Sequence, residues 1–356
     1  MDLVSELALG MRGHFGSIGL YGAVQRLFVA FGCLAFPGSA LIDAPFGRFG
    51  SWGKSLTVNG NWGWFIMEAF SPMTFLYALA IPPSISSMHS FPLFSPSRIL
   101  SALFDLSPAR QLLAALYLVH YAHRSVIGTL RNPGRAPMHI VIPVLSALFN
   151  IANGGTIGMW LAGGGETAAQ GGRGLLEGKS MLFLVGVGMW ALGFVGNIYH
   201  DEVLYSIKRE KQAERAQRQP SQEGKKSAGP PSPSDRYAIP RGGLYRVLSH
   251  PSYACEWFEW LGFLLSTTCL VPAPFPPLSA SSPYLVSLLS RAQIAALPRS
   301  IQPLSQGYLQ PPALFLLQEV AAMLPRARSG HAWYRRTFGK EWEETGAKWI
   351  VVPGVY

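Results

Sequence analysis

The stretch "MLFLVGVGMWALGFVGNIYHDEVLYSIK", Met181 to Lys208, decides the fold. From Met181 to Tyr199 it carries no charged side chain, and only then come His200, Asp201 and Glu202. A helix needs about 20 predominantly apolar residues to cross the hydrocarbon core of a bilayer. The span predicted here is 181–205. Working outward, six more stretches read the same way: 17–37, 62–82, 105–126, 138–162, 253–272 and 307–325. Gln111 interrupts the third of the seven in chain order, and Gln318 and Glu319 the seventh. Composition agrees, with 49% hydrophobic against 13% charged residues and a mean hydropathy of +0.22. Backbone groups in lipid must be satisfied within the segment that carries them. The expected fold is therefore an all-α integral membrane protein, a bundle of about seven transmembrane helices forming one domain.

Residues 1–16 contain Asp2, Glu6 and Arg12 and lack a basic region leading into a short apolar core, so no cleaved signal peptide is expected. Cys33, Cys255 and Cys269 lie in apolar segments and read as small buried hydrophobes without disulfide or metal spacing. The net charge of +10 falls between spans and not on a nucleic-acid face. Arg124, Arg131 and Arg135 follow the third span, Lys208, Arg209, Lys211 and Arg215 the fifth, and Arg326, Arg328, Arg335 and Arg336 the seventh. The positive-inside rule places these loops and the C-terminus in the cytosol. Residues 211–236, rich in Gln, Ser, Pro and Lys, read as a disordered cytosolic linker. Residues 272–312 read as a Pro-rich insertion on the far side. The part from 237 to 356 carries most of the remaining polar motifs.

Ionisable side chains within spans are costly and so mark functional candidates. With this orientation Glu68, Tyr121, Arg124, Asn197, Asp201, Glu256 and Glu259 all fall in the cytosolic half of the bundle, which implies one polar cavity open to the cytosol. Glu319 reads as a bundle-locking group. The Gly-rich stretch 163–174 follows a span, not a strand, and carries no dinucleotide fingerprint.

Four ordered stretches give this cavity an identity: "WFIMEAFSP" (Trp64–Pro72), "HYAHR" (His120–Arg124) with "NPGRAP" and Asn153–Gly154 beyond, "GNIYHDEVLYSIK" (Gly196–Lys208), and "YAIPRGGLYRVLSHPSYACEWFEWLG" (Tyr237–Gly262). "RARSGHAWYRRTFG" and "KWIVVPGVY" follow. Together, over about residues 60–356, they resemble the steroid 5α-reductase family. The resemblance implies an NADPH-dependent reduction of a Δ4-3-oxo-steroid in the endoplasmic reticulum membrane, with no metal. It implies that Glu68 and Tyr121 hold the 3-keto oxygen, with Trp64, Met67 and Asn153 beside the substrate. Asn197, Asp201, Lys208, Ser252, Glu256, Arg326 and Tyr334 are then cofactor contacts, with Arg124 and Arg135 as phosphate partners.

The chemistry is coherent with those residue types. Hydride addition to the β-carbon of an enone builds negative charge on the carbonyl oxygen, which hydroxyl and protonated carboxyl donors stabilise. Asn197 and Asp201, four apart, share a helical face. Three positions depart from the family pattern: Met67 replaces a common glutamine, Ser252 a common asparagine, and Lys208 a frequent arginine, exchanging a planar fork for a point charge. The alternatives are an enoyl or polyprenol reductase of the same superfamily, an isoprenylcysteine-type membrane methyltransferase, suggested by His250–Tyr253 and Tyr334–Pro353, and a non-catalytic sterol-binding membrane protein.

Overall fold

The structure, a computed structural model, describes residues 24–25, 27–33, 38, 56–81, 95–162, 180–218, 237–268 and 310–355. It is all-α apart from two short pairings. Strands β1 (Thr57–Val58) and β2 (Met138–His139) are antiparallel, with Thr57 opposite His139 and Val58 opposite Met138. They tie the start of α1 (Gly60–Leu79) to the start of α5 (Val141–Leu161). The Asn59 side chain opens α1 by accepting from the backbone N–H groups of Asn61 and Trp62, which would otherwise be orphaned.

Proline decides the next boundary. The span expected at 105–126 is occupied by helix α3 (Pro108–Tyr121) and the turn that follows it, and a separate helix, α2 (Pro96–Asp105), ends where that span was expected to begin. Pro108 disfavours helical geometry at the residue before it, and Ser107 is extended at φ −60°, ψ 152°. The end of α3 widens into a π-helical turn, Ala122–Ile127, before α4 (Gly128–Arg131). Helix α6 (Ser180–Arg218) follows, then a 3-10 turn at Gly243–Arg246, α7 (Pro251–Thr267), α8 (Pro311–Phe338) and α9 (Lys340–Thr345).

Helix α6 corrects the expected linker. Residues 211–218, read as disordered, continue the helix, because Lys211, Gln212, Ala213, Glu214, Arg215 and Ala216 are all strong helix formers. Lys211 also meets Glu214 at 3.1 Å. Likewise Pro311 and Pro312, assigned to the insertion, open α8, where a missing N–H costs nothing. The Gly-rich stretch 163–174 and most of 17–37, 219–236 and 272–309 lie outside the described residues.

Two helix pairs dominate the packing, α1 with α5 and α6 with α7. Both rely on glycine. A Cβ on Gly154 would collide with Ser71 O and Thr74 Oγ1 of α1, and one on Gly158 with Phe75 O. Gly186 and Gly262 do the same for α6 and α7. Small residues at such crossings let backbones approach closely, as in membrane bundles. Phe75, Leu113, Tyr117, Tyr121, Ile157, Trp260, Phe263 and Phe315 form the main core. A second cluster of Ile239, Tyr334, Trp342 and Ala347 anchors the C-terminus. There Leu248 bridges Trp349 in parallel, with Ser249 N donating to Trp349 O and His250 N to Ile350 O.

Among the described residues, two helices are long and apolar enough to cross a membrane, Val141–Leu161 and Met181–Gln217. Both expose large apolar side chains, including Val144, Leu145 and Leu148 on α5 and Leu184, Leu192 and Val195 on α6. Helices α1, α7 and α8 occupy stretches read as spans without meeting that standard of length and hydropathy.

Candidate active site

The site is built where α1, α3, α6 and α7 meet. Because α3 is helical up to its π-turn, His120 and Arg124 point the same way, towards α7. On α7, Glu256 and Glu259 are three apart and face back. His120 Nδ1 lies 2.6 Å from Glu259 Oε1, and its Nε2 lies 3.9 Å from Glu256 Oε1. Arg124 forks: Nη1 donates to Glu256 Oε2 at 3.1 Å and lies 2.8 Å from Oε1, while Nε donates to Glu68 Oε1 of α1 at 3.2 Å. All three glutamates are buried, as is Glu319 of α8, whose carboxyl is within hydrogen-bonding reach of Glu256. The widened turn frees backbone carbonyls, and side chains take them up. Ser125 Oγ donates to Tyr121 O at 2.6 Å, and the Trp64 indole donates to Arg124 O at 3.3 Å.

A second polar group adjoins the first. The Asn153 amide donates to Tyr121 at 2.9 Å and to Tyr117 at 3.2 Å, and the Tyr117 and Ser71 hydroxyls are 2.6 Å apart. Glu68 is close enough to act electrostatically on both tyrosines. Met67 is buried beside Glu68, and its carbonyl is held by the Asn150 amide at 2.8 Å.

Over these groups opens a small cleft lined by Trp64, His120, Arg124, Arg135, Phe194, Asn197, Asp201 and Tyr205 among others. Asn197 and Asp201 thus share one wall, as their spacing predicted. Asp201 faces Ser252 at the first turn of α7, close enough for the hydroxyl to act on its carboxylate. The Arg135 guanidinium sits 4.5 Å from the Trp64 ring centroid and that of Arg124 5.2 Å, so both cations border one aromatic face. Lys208 lies further along, its ammonium donating to Asn132 Oδ1 at 3.3 Å.

Not every expected residue is here. Tyr334 stacks on Trp342 at 4.7 Å and 8° in the C-terminal cluster, and neither it nor Arg326 lines the cleft. Three residues of the site had been given no catalytic or cofactor role: His120, quoted only within "HYAHR", Glu259, placed in the polar cavity, and Glu319, read as a bundle-locking group. The four-residue spacing in "HYAHR" and the three-residue spacing in "EWFEW" held the signal for the first two. Glu68, read as a protonated donor to the substrate ketone, meets the Arg124 guanidinium, which the π-turn carries between α1 and α7.

The donor set suits part of a dinucleotide. Arg124 and Arg135 match anionic phosphate, and Asn197 with Asp201 can bond an amide and ribose hydroxyls. Among the described residues no cluster of His, Cys, Asp and Glu has the arrangement to hold a metal ion.

These features define an all-α protein with buried carboxyls and tyrosines beneath a cleft bordered by two arginines. A family model described as 3-oxo-5-alpha-steroid 4-dehydrogenase matches residues 231–277. An uncharacterized protein of Schizosaccharomyces pombe is 30% identical over 326 residues, 90% of this chain and 95% of its own length. The steroid 5-alpha-reductase DET2 of Arabidopsis thaliana is 26% identical over 321 residues, 88% of each chain. The human 3-oxo-5-alpha-steroid 4-dehydrogenase 1 is 26% identical over 256 residues, 72% of this chain and 81% of that one. The chain belongs to the steroid 5α-reductase family.

Proposed function

We propose that the protein is a membrane-embedded reductase of the endoplasmic reticulum that uses NADPH to saturate the ring double bond of a Δ4-3-oxo-steroid or a sterol-like enone. The observation that carries this reading is the convergence of Glu68 and Tyr121 beneath a cleft walled by Asn197 and Asp201 and bordered by Arg124 and Arg135. The apolar faces of α5 and α6 support a bilayer setting, and a bundle of about seven spans with a cytosolic C-terminus follows from the charge distribution.

NADPH, when bound, supplies the hydride. Arg124 and Arg135 hold phosphate charge at the cleft rim, and Asn197 and Asp201 orient the polar groups between. The Asn153 amide donates to the Tyr121 oxygen, leaving that hydroxyl's own proton for the substrate carbonyl. Glu68 serves the same oxygen in its protonated form, Arg124 then being held by both oxygens of Glu256, at 2.8 and 3.1 Å from Nη1. The two donors meet the charge that grows on the ketone oxygen as C5 accepts hydride. A solvent proton completes C4. Met67 lays an apolar surface where many relatives carry an amide.

Sealed microsomes containing the protein test this directly. NADPH is too polar to cross the membrane, so externally added NADPH with a Δ4-3-ketosteroid should be oxidised at a rate that depends on the steroid. Consumption of S-adenosylmethionine with no NADPH oxidation would establish a methyltransferase instead. Steroid binding without NADPH oxidation, even after permeabilisation, would establish a binding protein.

A further inference from the structure

We propose that His120 and Glu259 form a positioning pair, outside the chemical step, that fixes the register of Arg124 and Glu256 at the cofactor side of the cleft. The inference rests on the reading of Arg124 and Glu256 as cofactor contacts. The two helices are joined by two rungs, His120 to Glu259 at 2.6 Å and Arg124 to Glu256 at 2.8 Å. The rungs differ in kind. Arg124 is partly exposed at 23% and borders the cleft, whereas Glu259 is 0% exposed. Glu259 Oε2 has no hydrogen-bond partner among the described residues, so His120 carries that carboxyl's bonding.

A π-turn begins at Ala122, between the rungs. A widened turn adds one residue to the helix and rotates all that follows it. Where Arg124 points therefore depends on what pins the last regular turn. His120 lies in that turn and is wedged edge-on against Trp260 at 4.7 Å and Tyr121 at 5.0 Å. Opposite, Gly193 of α6 lets the Glu259 backbone approach so closely that a Cβ would lie 2.5 Å from its nitrogen. The charged groups around the pair come from each packed element: Glu68 from α1, Arg124 from the π-turn, Glu256 from α7 and Glu319 from α8. Buried ion pairs contribute little net stability against apolar replacements of similar volume, and their best-attested use is to specify register.

Direct titration of NADPH onto purified protein in detergent tests the proposal, with His120→Leu, His120→Gln, Glu259→Leu and the double variant His120→Leu/Glu259→Leu. The double variant leaves no orphaned charge, so its thermal unfolding should match wild type while its NADPH dissociation constant rises about ten- to a hundredfold. His120→Gln keeps a donor for Glu259 and should recover most of the affinity lost in His120→Leu. At saturating NADPH, kcat of the double variant should stay within about threefold of wild type, as expected for lost positioning. A double variant that binds NADPH like wild type makes the pair purely structural and overturns the proposal. So does unchanged affinity with kcat down a hundredfold, which would put His120 in the chemistry. Wild type that binds NADPH but reduces no steroid enone would sink the proposed substrate alone, since the titration still decides the positioning role. Wild type that binds no NADPH overturns both.

Discussion

A carboxyl deep in an apolar helix must be neutralised by a proton or a cation, and Glu68 has access to both. Arg124 holds it at 3.2 Å, and Glu256 stands ready to take Arg124 entirely. That exchange ties substrate-side and cofactor-side chemistry to one guanidinium. Glu68→Gln keeps size and removes the acid, and Tyr121→Phe removes only a hydroxyl. Each should lower kcat about 10²–10³-fold in an NADPH-oxidation assay, the usual cost of losing one donor to a developing oxyanion. Variants indistinguishable from wild type would remove both residues from the mechanism. At this scale much was legible. The spacing of Asn197 and Asp201 placed both on one wall, and the costly groups in separate spans do meet. The His120–Glu259 pair was not, since its members are 139 positions apart and sequence spacing fixes only faces. Tyr334, read as a cofactor contact, packs its ring among Trp333, Phe338 and Trp342, outside the cleft.

Between elements the decisive contacts are backbone to backbone. Gly154 and Gly158 seat α5 on α1 and so set how Asn153 reaches Tyr121. Gly154→Val should destabilise by at least about 1–3 kcal/mol, the cost of overpacking, and lower the unfolding temperature in detergent. Gly155→Ala, with nothing within 4 Å of its added carbon, should leave it unchanged and serves as the control. The C-terminal seam makes a separate prediction. Ser249 Oγ sits 2.9 Å from His250 Nδ1 and 3.0 Å from His331 Nδ1. Burial and the nearby Arg335 push the His331 pKa down from its ordinary value. The unfolded chain therefore binds more protons, and stability rises with pH in that window. The contribution is complete above the unfolded value near 6.5 and is lost as pH falls through the lower folded value. Unfolding temperature should drop below about pH 6.5, and His331→Gln should flatten that limb. Helix positions at 138–162 and 181–205 were plain from hydropathy. The break at Pro108 was available from proline chemistry, whereas a π-turn has no local signature in residues such as Ala122–Ile127.

Across the described residues, large apolar side chains are exposed while charged groups are gathered inside, the sorting that a bilayer setting would require. Helices α5 and α6 turn leucine and valine outward, while Glu68, His120, Arg124, Glu256, Glu259 and Glu319 are gathered inside. In the proposed bilayer setting, lipid would solvate the first set and exclude the second from its surface. Membership of the steroid 5α-reductase family was readable from ordered motifs, because those on α1, α3, α6 and α7 each bring polar side chains to the place where these helices meet. Substrate identity was not, because Met67 and Ser252 change groups that would touch ligand without moving the helices that carry them. The central claim is that this site passes a hydride from NADPH to the β-carbon of an enone held by its ketone. The most direct measurement uses NADPH deuterated at the transferable position of nicotinamide C4, with a Δ4-3-ketosteroid, and locates the label in the product by NMR. The account predicts a single deuterium at C5 and none at C3. Deuterium at C3, from reduction of the ketone itself, or product with no label at C5, would contradict it.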